Sequence, residues 1–154
     1  KPPYIELMRF VSTQLLMLFL WSFGTVAQSQ TPVFAPVGAN DVDKESLIYE
    51  KRALVIFADS EKDPNFINQV KSLAEDPGAL NDRDVLVILD ATPSPPSAWR
   101  QLLHPNGFSL VIFDKDGTRA LRKPLPWSVR EISHAIDKFS SRRNELLERH
   151  PAGR

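Results

Sequence analysis

Three short apolar runs constrain the fold of this chain more than any other feature of its sequence. They occupy residues 53–58 (ALVIFA), 85–89 (VLVIL) and 109–113 (SLVIF). Each run is uninterrupted and rich in β-branched side chains, which is typical of a β-strand that is buried on both faces. A sheet built of such strands needs helices on both of its sides. We therefore predict an α/β fold in which residues 53–58 form a central parallel strand.

Helix signals separate the three runs. Asp63 precedes Pro64, so a capping side chain is followed by proline at the first helical position. Apolar residues then recur at helical spacing over residues 66–74, until Asp76-Pro77-Gly78 ends the predicted helix. A second, shorter helix is predicted over residues 97–103, with Ser97 as its cap.

The chain after the third run predicts a hairpin and a final helix. Residues 114–117 (DKDG) contain the Asp-Gly pair that favours tight hairpins, and residues 118–122 return as a more polar, antiparallel strand near an edge. Ser128 and Glu131 form a capping box for one helix that continues to about Leu147. The element order is β-α-β-α-β-β-α, which predicts a mixed four-stranded sheet.

Several short segments, taken in their order and spacing, carry a family resemblance. They are residues 52–58, Asp63-Pro64, residues 82–85 (DRDV), Gly107-Phe108, residues 114–117, residues 135–137 (AID) and Arg142-Arg143. The layout resembles the thioredoxin core, and these segments more closely resemble the P-DUDES domain. That thioredoxin-like family has no characterised function and is found in bacterial exported proteins and animal extracellular sushi-repeat proteins. The resemblance covers residues 47–147, and it implies a thioredoxin-like fold and an extracytoplasmic setting but no catalytic residues.

The absence of cysteine is the sharpest limit on function. In thioredoxins the redox pair follows the first of these strands, and the corresponding residues here are Asp59, Ser60, Glu61 and Lys62. The cis-proline that thioredoxins place before the third strand is missing as well, since residues 107–109 read Gly-Phe-Ser. Disulfide exchange and peroxide reduction both need a sulfur atom. Thiol-disulfide oxidoreductase and peroxiredoxin activity are therefore excluded for this chain.

The loop that begins with Asp59 allows two interpretations. In the structural interpretation, the acidic side chains near the helix start stabilise the helix electrostatically. In the catalytic interpretation, Ser60 is a nucleophile, and the fold would have to bring a base such as His104 or His134 close to it. The three histidines show no paired spacing, so the sequence predicts no metal site, and it predicts no cofactor.

Basic residues after the hairpin turn form a second candidate site. Arg119, Arg122 and Arg130 would bind an anion, such as a sulfated or phosphorylated glycan, if they met beside the helix start at Ser128. The structural alternative is a solvated edge strand, in which basic side chains prevent sheets from aggregating. Trp127 either packs against Ile132 as a hydrophobic staple or stacks on a sugar or a partner.

The N-terminal part of the chain predicts export. Residues 8–27 contain Met8-Arg9, an apolar run over residues 15–21 (LLMLFLW) and small residues before a possible cleavage after Ala27, which is the pattern of a signal peptide. The apolar stretch over residues 15–26 is shorter than a membrane-spanning helix needs, so cleavage is favoured, with retention as a membrane anchor as the alternative. We therefore assign residues 1–27 to the upstream piece and signal peptide, 28–46 to an extended leader, 47–147 to the domain and 148–154 to a tail.

Charge and composition complete the functional prediction. Nineteen basic residues balance nineteen acidic ones, so the field that attracts nucleic acid is missing and no nucleic-acid partner is expected. The favoured function is a non-catalytic, periplasmic or secreted binding module whose partner is an unknown protein or an anionic glycan. A cysteine-independent enzyme using Ser, Asp and His, and a structural subunit of an envelope complex, remain the alternatives.

Overall fold

The three apolar runs lie side by side in one sheet in the computed structural model, which describes residues 32–150. The strands are β1 (Val37–Gly38), β2 (Arg52–Phe57), β3 (Val85–Asp90), β4 (Ser109–Phe113) and β5 (Arg119–Lys123), in the sheet order β1-β3-β2-β4-β5. Every residue of β2 and β4 is buried, as an uninterrupted apolar run requires. The predicted α/β architecture is confirmed.

Strand pairing gives a mixed sheet. The central strand β2 pairs in parallel with β3 and antiparallel with β4, and β5 folds back against β4 as a largely exposed edge. The sheet has five strands and not the four predicted, because Val37 and Gly38 pair in parallel with β3. These two residues lie in the segment predicted to be an extended leader. A strand of two residues leaves no periodic signal in the sequence, so only its pairing partner reveals it.

Five helices lie in residues 32–150, and three of them begin where the sequence predicts them, directly after Asp63, Ser97 and Ser128. The helices are α1 (Pro64–Glu75), α2 (Pro77–Asn81), α3 (Ala98–Leu103), α4 (Val129–Ile136) and α5 (Ser140–Arg149), and a 3₁₀ turn covers Glu45–Leu47. The start of α2 was not predicted, because the sequence indicates only the end of a helix at Pro77. The Asp63 carboxylate accepts from the backbone N–H of Asn65 at 2.8 Å, and Ser128 forms the predicted capping box with Glu131. None of the helices in residues 32–150 is long and apolar enough to cross a bilayer. The predicted signal peptide lies outside the described residues.

The prediction of one final helix was wrong. The helical path breaks between Ile136 and Ser140, where Phe139 takes an extended conformation and packs against the core. Asp137 at the break receives two hydrogen bonds from the Arg83 guanidinium, at 2.9 and 2.8 Å. These contacts come from distant parts of the chain, so they override a local pattern that favours one continuous helix.

Two apolar clusters cover the two faces of the sheet. On one face, Leu54, Ile56 and Ile112 pack against α1, α2 and α4. On the other face, Val55, Phe57 and Val111 pack against α3 and the 3₁₀ turn, with Trp99 almost fully buried between them. Alternation along β2 sends successive side chains to opposite faces, which is why both faces need a covering layer.

A charged network closes the end of the sheet at which β2 and β3 begin; we call it the amino-end network. It consists of Lys51, Arg52, Arg83, Asp84, Asp114, Lys115, Asp137, Ser141, Arg142 and Glu145. Arg52 is fully buried, and all five of its side-chain N–H groups have acceptors: Asp114, Ser141, the Arg83 carbonyl and both oxygens of Glu145. A buried cation needs such complete pairing to offset the loss of its hydration.

Helix α5 is attached to the domain mainly through this network. Its buried residue is Arg142, whereas Leu146 and Leu147 are exposed. Glu145 accepts from Arg52 at 2.9 Å and lies 3.1 Å from the ammonium of Lys115. Burial alone would raise the pKa of Glu145, but the hydrogen bonds from Arg52, Lys115 and Arg142 outweigh burial and lower the pKa to about 2.

Replacing Glu145 with Gln tests this attachment. We expect the free energy of unfolding at pH 7 to fall by about 2 to 4 kcal/mol, because the buried Arg52 keeps Asp114 but loses its second carboxylate partner. The folded-state pKa of Glu145 lies below its usual value of 4.5, so its stabilising contribution is complete above about pH 5 and disappears as the pH falls toward about 2. Urea unfolding of wild type and E145Q at several pH values measures both effects.

Glu148→Gln serves as the matched control, since Glu148 is exposed on the same helix and has no ion pair among the described residues. Its unfolding free energy should stay within about 0.5 kcal/mol of wild type. Two results would contradict the attachment of α5 through Glu145. One is an equal loss of unfolding free energy in E145Q and E148Q, and the other is a loss in E145Q that does not become smaller as the pH is lowered.

Candidate functional site

The carboxyl ends of the three parallel strands meet at one edge of the sheet, which we call the carboxyl edge. Residues 39–41 follow β1, residues 58–63 follow β2 and lead into α1, and residues 91–97 follow β3. Open α/β sheets generally bind ligands just outside this edge, because loops and helix starts converge there. The residues predicted at the position of a redox pair, Asp59 to Lys62, lie in this edge.

The loop that replaces the redox pair is exposed and internally bonded. The Ser60 hydroxyl oxygen accepts from the backbone N–H of Lys62 at 3.2 Å, and Asp63 caps α1. Asp59 is also exposed, with 62% of its side chain accessible. The helix start is thus stabilised by the local capping that the structural interpretation predicts.

A buried ion pair lies directly beneath this loop. Arg100, from α3, donates from Nε to the Asp90 carboxylate at 2.7 Å, and its Nη2 donates to the backbone carbonyls of Asp90 and Ala58. The second Asp90 oxygen accepts from the Ser97 hydroxyl at 2.5 Å. We call these four residues the carboxyl-edge cluster. It ties the ends of β2 and β3 to the start of α3.

The Arg100 guanidinium also connects the cluster to the exposed loop. Its remaining nitrogen, Nη1, lies 3.8 Å from a carboxylate oxygen of Asp59 and has no hydrogen bond within residues 32–150. Arg100 and Asp90 were not among the predicted site residues, because a charged residue in a short helix or at a strand end usually lies at the surface. Arg100 directly after the buried Trp99 was the one available signal, and it is weak.

A cleft of about 400 Å³ opens beside the loop. Residues 36–41 and residues 89–92 form two of its walls, and Glu61 and Phe66 form the third at the start of α1. The cleft therefore combines all three segments that meet at the carboxyl edge. Its lining includes no histidine, and no histidine is hydrogen-bonded to Ser60 or Asp59 in the described part of the chain.

The structure separates the predicted basic residues. Arg122 donates to the Ser109 hydroxyl and to the Leu103 carbonyl, each at 3.0 Å, on the sheet face that α3 covers. Arg130 belongs to α4, which packs on the opposite face, and its side chain is exposed. Arg119 is exposed on the edge strand β5. Arg122 and Arg130 therefore do not meet beside Ser128, and a role for the three arginines in binding stays a prediction.

Trp127 is held in place from two sides. Its backbone N–H donates to the Gln69 amide oxygen at 2.7 Å, and its carbonyl accepts from the Gln69 amide nitrogen at 2.8 Å. The half-buried ring packs against the core cluster that contains Ile132, and the Lys123 ammonium lies 4.5 Å from the ring centre. These contacts agree with the packing interpretation of Trp127. Gln69 was not predicted, because it occupies a buried position on a helix face otherwise lined with apolar residues.

The ion pair between Arg100 and Asp90 predicts that substitutions at these two positions have non-additive effects on stability. Arg100→Met should lower the free energy of unfolding by about 3 to 5 kcal/mol, because Asp90 stays buried without its counter-charge. In an Asp90→Asn background the same substitution should cost at least about 1 kcal/mol less. A double-mutant cycle by urea unfolding measures the difference.

Arg143→Met is the matched control for this cycle, since Arg143 is exposed and has no side-chain hydrogen bond within residues 32–150. It should change stability by no more than about 0.5 kcal/mol. Strict additivity of the Arg100 and Asp90 substitutions would show that the pair contributes no mutual stabilisation.

Comparison with known proteins agrees with this geometry. The fold is similar to that in a crystal structure of chloroplastic thioredoxin z, with a TM-score of 0.52 and 17% sequence identity over 69% of this chain and 95% of that chain. At this identity the likeness shows the fold alone. No curated protein matches the sequence. Residues 45–145 match the family described as "Domain of unknown function (DUF4174)". The chain therefore belongs to the DUF4174 family, as a thioredoxin-like α/β domain without cysteine.

Proposed function

We propose that this domain is a non-catalytic binding module that holds a partner protein at its carboxyl edge, outside the cytoplasm. One observation carries the proposal. At the edge where the fold usually performs chemistry, the Asp90 carboxylate, the Ser97 hydroxyl and two of the three Arg100 nitrogens are occupied by internal bonds, while an open cleft remains beside them. Such an edge has the shape of a binding site without the reactive groups of a catalytic one.

The catalytic alternative lacks support from the contacts of Ser60. A serine nucleophile needs a base within hydrogen-bond reach, and the bond that Ser60 makes is to the backbone of Lys62. The Arg100 charge beneath the loop is matched by Asp90, and Asp59 lies near its free nitrogen. The described residues also contain no group of three or more His, Cys, Asp or Glu side chains that could hold a metal ion.

The extracytoplasmic setting is supported by two features of the sequence. Residues 8–27 have the pattern of a signal peptide, and the segments within residues 47–147 resemble the P-DUDES domain of exported and extracellular proteins. The absence of cysteine is compatible with that setting, since the domain is stabilised by its buried ion pairs and apolar clusters without any disulfide.

A fusion experiment tests the setting. Bacterial alkaline phosphatase needs disulfides and is active only outside the cytoplasm, so a fusion after residue 46 should be active in bacterial cells. Deleting residues 15–21 from the fusion should abolish the activity. If the fusion that carries all of residues 1–46 is produced at normal levels but is inactive, export is contradicted.

Site-specific crosslinking in the producing organism tests the binding edge. A photoreactive amino acid at Thr92, an exposed position in the cleft, should give a discrete adduct with one partner protein. The same amino acid at Lys71, exposed farther along α1, is the matched control and should give none. Equal adducts from both positions would contradict a partner bound at the carboxyl edge.

A charge-reversed variant, R119E/R130E, separates this site from the predicted basic one. Both side chains are exposed, so the double substitution changes surface charge without breaking a described contact, unlike a change at Arg122. The Thr92 adduct should persist in this variant. Loss of the adduct would indicate that the partner binds through Arg119 or Arg130, and it would favour an anionic partner such as a sulfated glycan.

A further inference from the structure

The cleft at the carboxyl edge carries negative charge that is not balanced locally. Asp41 and Glu61 line it, are exposed, and form no ion pair with any cation within residues 32–150. Asp90 also lines the cleft, but Arg100 neutralises it. The lining contains no lysine, arginine or histidine. The cleft is therefore acidic although the whole chain has a net charge of zero.

The interior of the cleft is apolar between these carboxylates. Phe66 and Leu89 pack against the core and leave part of their surface in the cleft, next to Ala91. The polar side chains of Asn40 and Thr92 lie at exposed positions of the same lining. A long cationic side chain matches this pattern, because its methylene stem packs on apolar surface while its charged end reaches a carboxylate.

The Asp41 carboxylate is held close to the backbone of β1. The backbone N–H of Asp41 donates to the Gly38 carbonyl at 3.0 Å, which forms a turn directly after the strand. A Cβ atom at position 38 would come within 2.6 Å of the Asp41 Oδ2 atom. Glycine at position 38 therefore leaves the space that the carboxylate occupies beside the cleft.

We infer that this cleft accepts a lysine or arginine side chain from a cationic peptide segment of the partner protein. The inference rests on the proposed function and names the chemistry of the partner. The cation would lie between the carboxylates of Asp41 and Glu61, with its stem against Phe66 and Leu89. A metal ion fits the same charge less well, since no group of three ligating side chains occurs in the described residues.

Binding of a fluorescent octalysine peptide to the full chain tests the inference. Fluorescence anisotropy should show saturable binding that weakens as salt is raised, and octa(acetyl-lysine), which lacks the charges, should not bind. D41N/E61Q should weaken binding about tenfold. The control E75Q/D82N removes the same number of exposed carboxylates, one at the far end of α1 and one beyond it, and should leave affinity within about twofold.

Gly38→Ala tests whether octalysine binding depends on the position of the Asp41 carboxylate or only on the negative charge of the surface. It keeps the net charge and meets only the flexible end of the Asp41 side chain, so the fold should survive while the carboxylate moves. We expect G38A to weaken octalysine binding by about the same factor as D41N alone. Thermal unfolding of each variant checks that the domain stays folded.

The outcomes separate this inference from the proposed function. Octalysine that fails to bind, or that binds wild type and D41N/E61Q equally, overturns the cationic partner. A Thr92 crosslink in that case still supports a binding edge, with a partner of different chemistry. Loss of affinity in E75Q/D82N equal to that in D41N/E61Q would show general electrostatic attraction and would also overturn the inference.

Discussion

A buried guanidinium closes each end of the central strand β2. Arg52, its first residue, is fully buried and uses all five of its N–H donors. Arg100 reaches the other end from α3 and donates to the carbonyl of Ala58, directly after the strand. A planar guanidinium with several fixed donors can bridge backbone carbonyls and carboxylates from different elements at once. The helices and neighbouring strands take their positions from these two anchors and from the apolar clusters between them.

The two anchors have different consequences. The amino-end network is extensive and attaches α5. Hydrogen bonds and nearby charges from basic side chains outweigh burial and lower the pKa of three of its carboxylates, Asp84, Asp137 and Glu145. The carboxyl-edge cluster is smaller and lies beneath an exposed loop and an open cleft. Ion pairs therefore fix one end of the sheet as a structural closure, while the other end keeps free surface. In thioredoxins the redox pair lies at that free end, whereas here the exposed carboxylates of Asp41 and Glu61 line its cleft.

Seven of the charged residues that carried the family resemblance belong to the amino-end network. Five of them come from three separate segments of the sequence: Arg52, Arg83, Asp84, Asp114 and Lys115. Asp137, at the break after α4, and Arg142, in α5, complete the set. These short charged segments therefore describe how the end of the sheet is closed. They say little about the carboxyl edge, and that is why the resemblance supplied a fold and no site.

The sequence by itself determined four of the five strands and three of the five helix starts in residues 32–150, and the absence of thiol chemistry. Those features depend on local properties: uninterrupted apolar runs, capping side chains at Asp63, Ser97 and Ser128, and the missing sulfur. Tertiary structure alone decided the fifth strand, the break before α5, the separation of Arg122 from Arg130 and the burial of Arg100 against Asp90. Each of these depends on a partner that is distant in sequence or on the sheet face to which a side chain points. The sequence does not show whether a charged side chain faces water or a buried counter-charge. The residues of the candidate site could therefore be identified only from the tertiary structure.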